Sequence, residues 1–220
     1  MIRLYLTSAK IKEFKPLTEY CVKNKLAYHV VTNEELDTIT SSTHHEGVCA
    51  LFKRPKILSL NEYLKNKKDK DLILSIVGVK NPHNIGPIMR ICAHFGVNTI
   101  FFDSNSPVFS ASAYRTSEGG AEALSFVQIQ DLGEALMQAK KAQYQILTTS
   151  SHPPSINLYQ AQIKNKAIIV MGEEREGLSA EILKLGDLSL MIPGSGAVES
   201  LNVSSAVSVI LSHLYSRLFQ

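Results

Sequence analysis

Ile192-Pro193-Gly194-Ser195-Gly196-Ala197-Val198-Glu199-Ser200-Leu201-Asn202-Val203-Ser204-Ser205-Ala206 is the stretch on which the reading turns. An apolar strand, Leu188 to Ile192, runs into a Pro/Gly turn. The turn delivers Ser200-Leu201-Asn202 to the start of a long apolar helix, Val203 to Leu218. Bare backbone, small residues and two side-chain hydrogen-bonders meet at a strand end, which is how an α/β protein holds a polar ligand. Two further segments, Asn84 to Arg90 and Gly172 to Leu178, follow the same strand-then-glycine plan.

The rest of the pattern supports an α/β fold. Expected strands at Leu72–Val79, Thr99–Phe102, Ser125–Ile129, Gln145–Thr149, Ala167–Met171 and Leu188–Ile192 alternate with expected helices. Those helices lie at Ile85–Phe95, Ser112–Thr116, Leu132–Ala142, Ala180–Leu185 and Val203–Leu218. Apolar strands alternating with helices predict a mostly parallel sheet covered by helices on both faces. Before it lies a small α/β unit with strands at Arg3–Thr7, Ala27–Val31 and Val48–Phe52, and helices near Phe14–Asn24 and Glu34–Thr40. The charge run Lys65 to Asp71 reads as a solvated linker, which divides the chain into residues 1–64, a linker at 65–71, and residues 72–220.

Composition excludes several classes. No apolar run reaches the ~18 residues of a membrane helix, and the first residues are too mixed for a signal peptide. Cys21, Cys49 and Cys92 are odd in number and widely spaced, which speaks for reduced thiols and a cytoplasmic setting rather than a disulfide framework. Residues 1–70 hold 13 Lys/Arg against 8 Asp/Glu, whereas residues 71–220 hold 10 against 12, so the basic part is N-terminal. Charge of that size attracts a polyanion without requiring one. His44-His45-Glu46 are adjacent, poor geometry for a shared metal, and read as a turn; no metal site is expected. No G-x-G-x-x-G follows the first strand of the larger unit, and Gly172–Leu178 lacks the Gly-Lys-Ser/Thr of a P-loop.

Individual residues carry two readings. Asn84 can cap its helix, with Pro87 in the first turn, or bind a ligand. Arg90 lies off the apolar stripe, where a guanidinium can hold a phosphate or carboxylate. Ser200 or Asn202 can cap the final helix.

Taken in chain order, the three segments resemble the three sequence motifs of the SpoU/TrmH-type RNA 2′-O-ribose methyltransferases of the SPOUT group. The first matches at Asn84, Gly86, Arg90, Phe95 and Gly96; the second at Gly172, Glu174, Gly177 and Leu178. The third matches at Ile192, Pro193, Gly196, Ser200, Leu201, Asn202, Val203 and Ser204. The resemblance implies a C-terminal trefoil knot, which topology rules alone would exclude. It implies S-adenosylmethionine held by Thr149, Gly172, Ile192, Pro193 and Leu201, and a catalytic set of Arg90, Asn84, Glu174, Ser200 and Asn202. It implies RNA as partner, tRNA or rRNA, and a homodimer that completes the site. The apolar last helix suits that interface and an ordinary core equally. Residues 1–55 resemble the later part of the family's RNA-binding domain, whose usual first helix and strand have no counterpart here; the chain is therefore either a fragment or carries a reduced domain. The alternative is an RNA-binding or ribosome-assembly protein with the same fold and no methyl transfer. Arginine is named as general base in the family, yet its pKa above ~12 favours a clamp on the target phosphate, with that phosphate or Glu174 taking the proton.

Overall fold

Leu72, Leu74 and Ile76 pack on one side of the central sheet and Ile73 on the other, all essentially buried, so this strand has no solvent face. The computed structural model describes residues 1–66, 68–173 and 176–218. It forms two compact units, Met1–Arg54 and Pro55–Gln220.

The first unit contains β1 (Arg3–Leu6), α1 (Lys15–Lys23), β2 (Ala27–Val30), α2 (Asn33–Thr40) and β3 (Val48–Leu51). Its sheet runs β2-β1-β3, with β1 parallel to β2 and antiparallel to β3. Leu4, Leu6 and Cys21 form its buried centre. A capping box starts α2: Glu35 N–H donates to Thr32 Oγ1 at 3.2 Å, and Thr32 N–H donates to Glu35 Oε2 at 2.8 Å. The His-His-Glu stretch is a turn. His45 Nδ1 accepts from Gly47 N–H at 2.9 Å, and its Nε2 lies 3.0 Å from Asp37 Oδ1.

The second unit contains β4 (Ile57–Ser59), α3 (Leu60–Lys65), β5 (Asp71–Ser75), α4 (Pro82–His94), β6 (Thr99–Asp103), α5 (Ala111–Ser117), β7 (Ser125–Ile129) and α6 (Leu132–Lys141). It continues with β8 (Gln145–Thr149), β9 (Ile156–Asn157), β10 (Lys166–Val170), α7 (Ala180–Leu185), β11 (Leu188–Met191) and α8 (Val203–Leu218). The eight strands, in the order β4-β7-β6-β5-β10-β8-β11-β9, are all parallel. Residues of α4 and α8 fill one core; residues of α3, α6 and α7 fill the other.

The expected division at residues 65–71 does not coincide with this one. β4 and α3 belong to the larger unit, because β4 adds to the edge of its sheet through β7. β4 and β9 were not expected; at three and two residues they carry almost no periodicity. β5 ends at Ser75 rather than Val79, because Gly78 takes a φ of +93° and turns the chain, its N–H donating to Asp103 Oδ2 at 2.9 Å.

The charge run has a structural role at the N-terminal edge of the sheet. Asp71 Oδ2 accepts from Tyr63 Oη at 2.7 Å and Tyr144 Oη at 2.5 Å, and Asp71 Oδ1 accepts from Lys68 Nζ at 3.1 Å. Thr99 Oγ1 lies 3.0 Å from the Tyr63 hydroxyl. Burial pushes both phenols well above the usual tyrosine range, so they stay protonated donors. The network joins the starts of β5 and β6 to α3 and to the turn before β8. Tyr144→Phe removes one hydrogen bond to a buried carboxylate and should lower stability by about 1.5–3 kcal/mol, measured as a shift in urea midpoint at unchanged slope.

Candidate functional site

Parallel sheets expose ligand sites beyond the C-terminal ends of their strands, where the strand order switches. Here β5 lies beside β10, β10 beside β8 and β8 beside β11, so four strand ends are contiguous. The loops leaving β10 and β11 carry the second and third glycine-punctuated segments, and the loop leaving β5 leads into α4, which carries the first. Thr149 closes β8 between them, and its hydroxyl donates to the Val170 carbonyl at 3.0 Å. Ser150 N–H donates to the Leu190 carbonyl at 3.0 Å, which ties the β8 end to β11 as well.

Helix α4 starts earlier than the sequence suggests. Asn81, not Asn84, is its cap, its side chain accepting from His83 N–H at 3.0 Å, and Pro82 takes the first helical position. Pro87 is therefore inside the helix and not in its first turn. Asn84 does not cap the helix and is 8% exposed. Its Oδ1 accepts from Asn202 Nδ2 at 3.0 Å, a bond between residues 118 positions apart. Asn202 does cap α8: its Oδ1 accepts from Ser204 N–H at 2.9 Å and Ser204 Oγ at 2.7 Å. Both readings of Asn202 hold at once, because its amide nitrogen and oxygen serve different partners.

Gly172 follows β10 because nothing larger fits. A Cβ there would lie 2.5 Å from the Gly177 carbonyl carbon and 2.8 Å from its Cα. Glu173 and Gly177 exchange backbone hydrogen bonds of 3.3 and 3.0 Å across this loop, and Gly177 has a φ of +68°. Lys80 Nζ, from the loop after β5, lies 3.8 Å from Glu173 Oε2. Glu174, expected at the centre of this segment, lies outside the described residues. In the third segment Ile192 is half-buried, whereas Pro193 to Asn202 are exposed, including Ser200 and, at 49%, Leu201.

Arg90 stands apart from the Asn84–Asn202 pair. Six residues along α4 place it about 9 Å further on and about 120° round the helix. Its side chain is 58% exposed, and Nη1 pairs with Glu118 Oε1 at 2.8 Å. Glu118, and the Gly119-Gly120 doublet after it, carried no weight in the sequence reading, although a double glycine before a strand does signal a tight turn. Asp103, which anchors Gly78, gave no signal at all. Gly86 of the first segment is a packing glycine: a Cβ would lie 1.8 Å from Thr116 Oγ1 and 2.6 Å from the Ala113 carbonyl oxygen, so α4 and α5 touch there.

Helix α8 turns Val207, Ile210, Leu211 and Leu214 into the unit's own core, at most 2% exposed. Of the two expectations for the apolar run Val207, Ile210, Leu211, Leu214 and Leu218, dimer interface or ordinary core, the first four residues meet the second, and the Leu218 side chain lies outside the described residues. Elsewhere on α8, Ser208, Val209, Ser212, His213 and Ser216 line a groove with Tyr159. Among the described residues no helix is long and apolar enough to cross a membrane, and no cluster of three or more His, Cys, Asp or Glu could hold a metal ion.

Comparison with known proteins agrees with this layout. Residues 71–212 match the SpoU rRNA Methylase family, and residues 1–58 match the RNA 2′-O ribose methyltransferase substrate binding family. An uncharacterized tRNA/rRNA methyltransferase of Haemophilus influenzae is 33% identical over 99% of this chain and 61% of its own length. The 23S rRNA (guanosine-2′-O-)-methyltransferase RlmB of Shewanella oneidensis is 31% identical over 96% of this chain and 87% of its own length. The chain thus spans about three fifths of the Haemophilus relative and most of the Shewanella one. Among solved structures, the SpoU methyltransferase AviRb of Streptomyces viridochromogenes, in complex with AdoMet, superposes with a TM-score of 0.82 over 99% of this chain and 83% of that one. At 20% identity that likeness concerns the fold. With both regions matched in order and the three segments converging on one sheet edge, the chain belongs to the SpoU rRNA methylase family.

Proposed function

We propose that this protein transfers a methyl group from S-adenosylmethionine to a ribose 2′-hydroxyl of tRNA or rRNA. The observation that carries the reading is the Asn202–Asn84 hydrogen bond, which joins the first and third segments beside the contiguous ends of β5, β10, β8 and β11. Membership of the family supports it. So do the names of the Haemophilus and Shewanella relatives and the AdoMet held by the AviRb structure.

The residues at the strand ends suit the cofactor. Thr149, Gly172, Ile192, Pro193 and Leu201 offer backbone groups on three loops, and Gly172 brings two backbone segments into contact where side chains would intrude. When bound, S-adenosylmethionine supplies an electrophilic methyl carbon. The chain would orient the ribose 2′-oxygen towards that carbon and hold an acceptor for the hydroxyl proton. Positioning of this kind supplies on the order of 7–11 kcal/mol in favourable cases. Arg90 is the clamp on the target phosphate and the stabiliser of developing alkoxide charge. A guanidinium is not the base, so the phosphate or Glu174 takes the proton. Asn84, Ser200 and Asn202 shape the floor beneath the ribose. Residues 1–54 are the RNA-binding region, in line with the substrate-binding match. Three free cysteines suit a cytoplasmic setting.

Two features of assembly belong to the same reading. β10 is inserted between β5 and β8, and β11 between β8 and β9; the trefoil knot that the family resemblance implies is compatible with this order. A homodimer would use the serine-lined outer face of α8, since its apolar face is already covered. Small side chains at i, i+4 spacing let a second helix approach closely.

The direct assay is transfer of labelled methyl to bulk RNA from cells lacking the gene, with 2′-O-methyl mapping. Calorimetry should detect S-adenosylmethionine binding, and Gly172→Ala should weaken it about five- to a hundredfold, since overpacking of about 1–3 kcal/mol falls on the loop itself. Light scattering at tens of micromolar should give a dimer; a monomer would remove the α8 interface. Arg90→Ala should cut turnover 10²–10³-fold, about 3–4 kcal/mol, while cofactor affinity stays within about twofold, and Arg90→Lys should be nearly as poor because a point charge cannot replace a fork. Loss of cofactor binding in Arg90→Ala would reassign Arg90 to the cofactor site.

A further inference from the structure

Arg90 has a long side chain on the exposed side of α4, and a guanidinium there would sample many rotamers. It does not hang free. Its Nη1 meets Glu118 Oε1 at 2.8 Å, a charge-assisted contact between side chains 58% and 62% exposed. Stability does not account for a carboxylate at this place. Exposed pairs contribute little, and Glu118 ends α5 in the left-handed region at φ 44°, ψ 51°, where glycine or asparagine sits more cheaply.

The surrounding turn fixes the backbone that carries that carboxylate. Gly119 has a φ of +89°. Gly120 is pressed onto α4 at Arg90 itself: a Cβ there would lie 2.7 Å from Arg90 Cα and 2.9 Å from Arg90 N. One turn earlier on α5, Thr116 and Ala113 crowd Gly86 on α4. Two close approaches therefore bracket the Arg90–Glu118 pair and fix the backbone at Glu118 relative to that of Arg90, with the carboxylate within reach of the guanidinium.

We infer that Glu118 is a positioning residue for Arg90: its carboxylate holds one end of the guanidinium so that the remaining N–H donors face the RNA. This rests on the reading of Arg90 as the phosphate clamp. A guanidinium has five N–H donors, so one anchoring contact leaves the others for a phosphate or a developing alkoxide. The carboxylate also repels the RNA backbone, so the arrangement trades ground-state attraction for orientation.

That trade gives a signature. Glu118→Gln keeps the shape and removes the charge; kcat should fall about tenfold while KM for RNA falls or stays level. Glu118→Asn should lose turnover equally with an unchanged or higher melting temperature, because asparagine tolerates the left-handed backbone. A residue serving only structure would not lose turnover while keeping or gaining stability. Independently of activity, the Arg90 Nε–H signal in nitrogen-15 NMR should be ordered in the parent protein and mobile in Glu118→Gln. Turnover within twofold of the parent in both variants, on an RNA whose methylation Arg90→Ala abolishes, would overturn the inference, as would equal Arg90 mobility with and without the carboxylate. Retained turnover in Arg90→Ala would overturn the reading of Arg90 itself, a result the Glu118 variants alone do not produce.

Discussion

The parallel pairing of β5 with β10 is the constraint on which the rest depends. The two strands are adjacent from Asp71 opposite Lys166 to Ser75 opposite Val170, although about ninety residues of chain separate them. This pairing puts the loop after Ser75 beside the loop after Val170, and it makes room for β8 and β11 to bring their ends alongside. No local propensity produces it. It is held by burial on both faces of β5 and by the Asp71 network at its base.

The two edges of the sheet divide the work. At the N-terminal edge, Asp71, Tyr63, Tyr144, Thr99 and Lys68 satisfy one another, so a buried carboxylate has its donors supplied. At the C-terminal edge, the polar groups are spread over exposed loops, and Gly172 sits where backbone meets backbone. A site made largely of backbone needs rigid support, and the strands below provide it.

Within the site, the elements of the reading have separate supports. The Asn84–Asn202 bond joins the start of α4 to the start of α8, next to the loops read as cofactor-binding. Arg90 is carried on the other side of α4 and braced from α5. Under the proposed function, that separation would let cofactor affinity and methyl transfer be perturbed independently.

Much was legible in the sequence because it is written locally. Alternation of apolar strands with helices announced a parallel sheet, and strands Ser125–Ile129 and Gln145–Thr149 and helices Ala180–Leu185 and Val203–Leu218 occur where the pattern put them. Glycines at strand ends marked the three segments, since close backbone approach excludes side chains and leaves a trace in composition. Other features depend on partners distant in sequence. Asn81 before Pro82 is a local cap signal, but tertiary structure alone decided that Asn84 meets Asn202 and that β4 joins the larger sheet. It alone turned the apolar face of α8 inward and set Glu118 on Arg90. An asparagine near a helix start has the same local chemistry whether it caps or reaches across the fold, and only the packing of α4 against α8 chooses between the two.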